Sequence, residues 1–139
     1  MKITDLKVPG AIFASAITTS EIELNNYKEV TFLVESGEGT AGNTTITVEG
    51  KTGATGTTTA VPFLFAEKGN NVFVEIEPTG KQVSIGGTAG TSKFYLIKVT
   101  DRLLASKEFD RVVLKTTAVA SSTVVGAIYA ISDKPRFSE

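Results

Sequence analysis

The sequence predicts an all-β domain: a single antiparallel β-sandwich or jelly-roll-like barrel of roughly eight to ten strands with long Gly/Thr-rich loops. Three observations predict it. Thr, present 20 times, and the abundant Val and Ile are stiff at the first side-chain torsion and suit a pleated surface. The 13 Gly recur at short intervals and supply sharp chain reversals. Apolar and polar residues alternate in several short runs, the period of a strand with one wet face. At 139 residues, the chain is sized for one domain with a sizeable core.

The elements follow in order. Residues 10–19 form an Ala/Thr-rich lead. Ala14-Ser15-Ala16 imitates a signal-peptidase site, but the preceding apolar run is short and contains Asp5, so no signal peptide is expected. Ile22 and Leu24, flanked by Glu21 and Glu23, suggest a short strand. Residues 30–35 are mostly apolar and end at Ser36-Gly37, which marks another. Residues 37–43 and 50–59, rich in Gly and Thr, are expected to be loops. Between them, Thr44, Ile46 and Val48 face one way while Thr45, Thr47 and Glu49 face the other. Residues 72–77 repeat that pattern, with Val72, Val74 and Ile76 opposing Phe73, Glu75 and Glu77.

The second half is more apolar. Residues 94–99 and 111–117 are strands by content. The sole helical candidate lies between them at residues 101–107, where Asp101 can cap a short turn. Residues 124–131 are apolar at both parities, which fits a strand covered on both faces or lying against another subunit. Residues 132–139 read as a polar tail closing the single domain, 1–139. Turns this short between strands leave no room for helical crossovers, so the pairing must be mostly antiparallel.

The chain has no Cys, His or Trp. Disulfides, zinc sites of Cys or His, thiol nucleophiles and imidazole bases are therefore excluded. A net charge of −1 gives no basis for generic nucleic-acid binding. No stretch approaches the ~20 apolar residues of a membrane-spanning helix. The sequence thus predicts a protein that is not an enzyme and that uses no cofactor or metal.

Several motifs match in letters only. Gly37-Glu38-Gly39-Thr40-Ala41-Gly42 spells a dinucleotide fingerprint, yet a strand follows where a helix must open. Gly50-Lys51-Thr52 lacks the glycine a phosphate loop needs five residues earlier, where Thr45 stands. The pairs Glu21/Glu23 and Glu75/Glu77 each share a strand face and read as solvated edges rather than glycosidase carboxylates. Phe63 and Phe65 share a face and read as core, with a stacking platform for sugars as the alternative. Pro135-Arg136-Phe137 combines a rigid residue, a bidentate donor and an apolar anchor, which suits docking on a neighbour.

The whole layout resembles the small structural proteins of tailed bacteriophages, of the capsid decoration or head-auxiliary type. The likeness lies in the Ala/Thr-rich lead, the strand-loop-strand at residues 29–50, and the Gly/Thr-rich loop before Val61-Pro62-Phe63-Leu64-Phe65. It continues in the apolar strand running into Asp101-Arg102-Leu103-Leu104, the segment at 109–115, and the closing Pro135-Arg136-Phe137. The resemblance implies a virion structural protein, made in the host bacterial cytoplasm, that decorates or stabilises the capsid by protein–protein contacts. Its implied partners are the major capsid protein and copies of itself, as a homo-oligomer for which a trimer is one form; neither nucleic acid nor membrane is implied. The contact residues expected on this view are Gly37, Gly39, Gly42, Asn43, Gly53, Gly56, Arg136 and Phe137. A tail or fibre component and a carbohydrate-binding β-sandwich module are the alternatives.

Overall fold

A computed structural model describes residues 1–70, 72–104 and 109–135. In chain order the elements are β1 (Lys2–Ala11), β2 (Ile17–Thr18), β3 (Ile22–Glu23), β4 (Tyr27–Ser36), β5 (Gly39–Lys51), β6 (Thr59–Val61) and β7 (Phe63–Glu67). There follow β8 (Val74–Ile76), β9 (Lys81–Gly87), β10 (Lys93–Thr100), the helical turn α1 (Asp101–Leu104), β11 (Arg111–Thr116) and β12 (Val125–Pro135). The strands form two six-stranded sheets. Sheet A has the order β1-β12-β4-β10-β7-β8; sheet B has the path β2-β11-β5-β6, with β3 beside β11 and β9 beside β5. All pairings among the described residues are antiparallel. Of the two architectures the sequence left open, this is the sandwich: neither sheet closes on itself.

Alternation builds the core. On β4, Val30, Phe32 and Val34 point inward and are fully buried. On β5, Thr44, Ile46 and Val48 do the same from the opposite sheet, as their spacing predicts. Ile97 and Val99 of β10, Leu114 of β11 and Ile128 of β12 complete the layer. Each such side chain contributes ~1.5–3 kcal/mol by leaving water. Thr44 is tolerated inside because its hydroxyl donates to the Thr117 carbonyl at 2.8 Å.

Polar bonds tie the sheets together. The Gly86 N–H of β9 donates to Ser36 Oγ of β4 at 2.9 Å. The Tyr95 hydroxyl of β10 donates to the Ser84 carbonyl of β9 at 2.5 Å.

Four sequence expectations are corrected. Residues 37–43 are mostly strand, since β5 begins at Gly39 and pairs Gly39 with Gly87, Gly42 with Ile85 and Asn43 with Ser84. Glycine is retained there because other chain crosses closely. A Cβ on Gly39 would lie 2.6 Å from the Val124 Cα, and one on Gly42 would lie 2.7 Å from Val119 Cγ1. Second, residues 72–77 contain only the three-residue β8, an edge strand. Val72 and Val74 are 63% and 54% exposed, because sheet B ends before covering this edge. Third, residues 132–135 continue β12 rather than beginning a tail. Ser132 pairs with Val30 and Asp133 with Glu29, while Pro135 sits at the strand end opposite Tyr27, where a missing N–H is harmless. Fourth, residues 2–11, outside every expected strand, form the edge strand β1.

Candidate protein-contact surface

The outward face of sheet A carries the most unusual chemistry of the fold. In antiparallel pairs, directly opposed residues share a face. The register therefore sets Tyr129, Leu33, Leu96 and Ala66 in one row across β12, β4, β10 and β7. The row beside it runs Ile3, Ile131, Thr31, Lys98, Leu64 and Glu75, from β1 to β8. A third places Ala127, Glu35 and Phe94 side by side. Leu33, Leu96, Leu64, Tyr129 and Ile131 are all half-exposed. An antiparallel sheet with one wet face would place polar residues at these positions. Here apolar residues outnumber the polar Thr31, Glu35, Lys98 and Glu75 along these rows, although Ala66 and Ala127 are themselves buried.

Charged groups lie within this field as well as around it. Lys98 Nζ stands 4.4 Å from the centroid of the Phe73 ring, and Lys68 Nζ lies 5.4 Å from that of Phe94. Both are cation–π contacts that hold ammonium groups beside aromatic surface. Glu35 lies on β4, two residues beyond Leu33. At the far end, Glu29 pairs with Lys134 at 3.1 Å.

A second polar cluster lies on sheet B. Arg111 of β11 bridges Glu21 at 3.2 Å and Glu23 at 2.9 Å, and Lys51 pairs with Glu21 from β5. The Lys51 ammonium, with help from Arg111, holds the Glu21 carboxyl below its ordinary range against an opposing push from burial. Burial lowers the Arg111 guanidinium, but Glu21, Glu23 and Asp110 together raise it above its usual value. A carboxylate so firmly ionised is a poor proton donor. The cluster therefore works as an electrostatic clamp fastening β3 and the Glu21 segment to β5 and β11. It borders a cavity of about 360 Å³ whose wall includes Lys2, Thr4, Asn25 and Tyr27.

The residues singled out from the sequence fall in different places. Gly37, Gly39, Gly42 and Asn43 lie at the start of β5 or just before it; the three glycines let other chain approach closely, while Asn43 is exposed. A Cβ on Gly37 would meet the Val125 carbonyl oxygen at 3.1 Å. Gly53 and Gly56 lie in the loop between β5 and β6, as expected. This loop is anchored: the Gly53 N–H donates to Asp110 Oδ1 at 3.0 Å, and Lys51 Nζ donates to the Ala54 carbonyl at 2.9 Å. Gly53 has φ = 68°, the left-handed region that favours glycine. Arg136 and Phe137 lie outside the described residues. Phe63 is fully buried and Phe65 nearly so, which makes them core rather than a platform for sugars.

The residues missed were Leu33, Leu96, Leu64 and Lys98. Part of the signal for them was present: β10, like β12, carries apolar residues at both parities, whereas on β4 Leu33 stands alone among Glu29, Thr31 and Glu35. Read only for β12, it indicated one strand rather than a contiguous face.

No protein-family model matches the chain, and no curated relative matches it. Among solved structures, the chain is similar to the crystal structure of the SPBc2 prophage-derived protein YomS. The likeness has a TM-score of 0.51 at 14% identity and covers 94% of this chain and 92% of that one. The two share a fold across nearly their whole lengths.

Proposed function

We propose that this chain is a bacteriophage virion structural protein that decorates or stabilises the capsid through protein–protein contacts. The observation that carries the reading is the half-exposed apolar outer face of sheet A, centred on Leu33 and Leu96. Contiguous apolar surface of this kind marks a place where another protein sits. The whole-length fold likeness to a prophage-derived protein supports a phage setting. So does the sequence's resemblance to small head-auxiliary proteins. On this reading the partners are the major capsid protein and further copies of the chain, and the place of action is the virion. The work is done by shape and contact, without turnover, metal or cofactor.

Immuno-electron microscopy of particles of the encoding phage tests this. Label on the head is expected. Label confined to the tail would replace capsid decoration with a tail or fibre role. Unlabelled particles, with saturable binding of the folded chain on a glycan array, would overturn the reading in favour of a carbohydrate-binding module.

A further inference from the structure

We infer that the outer face of sheet A is a self-association surface on which two copies of this chain pack face to face about a twofold axis. The inference rests on the reading of the chain as an assembly protein and names the occupant of its apolar face.

Size comes first. Six strands at ~4.8 Å spacing, over about six residue steps of ~3.3 Å, give the whole face a flat area of about 570 Å². That approaches the ~800 Å² per partner of a standard specific interface, before side-chain relief is counted. The core of such an interface should be apolar and its border charged. Leu33 and Leu96 stand opposite each other at the centre of the face, with Tyr129 beside Leu33 in the same row and the buried Ala66 on the far side of Leu96.

Charge then selects the partner. Lys98 lies two residues from Leu96 along β10, opposite Thr31. Glu35 lies two residues from Leu33 along β4, opposite Phe94. These steps run in opposite directions, so Lys98 and Glu35 sit diagonally on either side of the Leu33–Leu96 pair. An isologous contact repeats every interaction twice. A twofold axis through the leucine pair, lying across the strands but tilted by about 20° so that it stands perpendicular to the Lys98–Glu35 diagonal, sets Lys98 of each copy against Glu35 of the other. A self-complementary pattern of this kind is what a second copy of the same face recognises. Two sheets so packed fall within the aligned class of sheet-on-sheet contacts, with side chains interleaved over ~10 Å.

At the β1 edge, the alternative route of adding strands edge to edge is opposed by the strand itself. β1 carries Lys2, Asp5, Lys7 and Pro9, and its pairing with β12 shifts register twice. Charge, proline and bulges are the devices that keep an edge strand from templating another.

Analytical ultracentrifugation of the full chain across a concentration series is the test. The wild type is expected to dimerise reversibly. Lys98→Glu and Glu35→Lys should each raise the dimer dissociation constant about tenfold or more, and the double exchange should recover most of the loss. Leu96→Lys should abolish the dimer; circular dichroism checks its fold, and the charge exchange carries the test if that variant does not fold. A wild type that stays monomeric, a trimer, or single charge reversals that leave the constant unchanged would overturn the inference. So would single reversals that both weaken the dimer without recovery in the double exchange. A monomer that still labels phage particles removes the self-association and leaves the proposed function. A dimer that labels none does the reverse.

Discussion

The Tyr95 hydroxyl reaches from sheet A to the Ser84 carbonyl of sheet B at 2.5 Å, while its ring stacks on Phe65 with centroids 5.9 Å apart. One side chain thereby combines core packing with a hydrogen bond between the two layers. It does so near the β8 edge, where sheet B gives the least cover. Tyr95→Phe keeps the ring and removes the bond, leaving the Ser84 carbonyl without this donor. The expected cost is about 1–2 kcal/mol, seen in urea unfolding as a lower midpoint with an unchanged slope.

Gly126 is small for reasons of space. A Cβ there would lie 2.6 Å from the Glu35 carbonyl oxygen and would press into the Phe13 ring. Phe13 is fully buried and has nowhere to move cheaply. Gly126→Ala should destabilise by about 1–3 kcal/mol through overpacking. Differential scanning calorimetry reads this as a lower melting temperature, and Phe13→Leu in the same chain should recover part of it.

Adjacent residues on β4 should behave as opposites. Phe32 is fully buried and Leu33 is half-exposed on the outer face. Phe32→Ala should cost about 3–5 kcal/mol. Leu33→Ser should cost under about 1 kcal/mol in dilute solution. If the outer face joins two copies, the penalty of Leu33→Ser grows with protein concentration, because association stabilises only the wild type. Denaturation at two concentrations separates the cases.

The clamp at Glu21 predicts a pH dependence of definite sign. The folded state holds this carboxyl below its unfolded value, with Lys51 as the leading cause. Its contribution is therefore fully present above the unfolded value of about 4.3 and is lost as pH falls through the lower, folded value. Glu21→Gln should be less stable than wild type at pH 7, and the difference should shrink in acid. Because the pair is partly exposed, added salt should narrow the gap at neutral pH as well. Urea midpoints at pH 7 and pH 3, with and without salt, check both statements.

The sequence made the inner lining of the sandwich legible and concealed its edges. Thr44, Ile46 and Val48 alternate cleanly because one side of β5 meets the core and the other does not. β1 escaped notice because most of its residues are exposed on both faces, so burial imposes no period on them. Pro9 and Gly10 also read as punctuation, though an edge strand accommodates proline. Gly39 and Gly42 suggested a loop, since nothing in their own neighbourhood announces that residues 119 and 124 will cross over them. The outer face was half legible. Apolar residues at both parities mark it in β10 and β12, but only the register shows that Leu33, Leu96 and Tyr129 form one row.

The pairing of β1 with β12 sets an order of events in synthesis. Lys2 finds its partner at Ser132, so β1 depends on a strand synthesised long after it. Until β12 arrives, β1 has no ladder to join and the inner flank of β4 stays open, since β12 fills the place between them. Long-range closure of this kind is slow and leaves strand edges bare in the meantime. The sheet with the apolar outer surface is thus also the last to be completed. If that surface joins copies, the joining waits for β12, and chains that have not yet made it are kept from joining those that have.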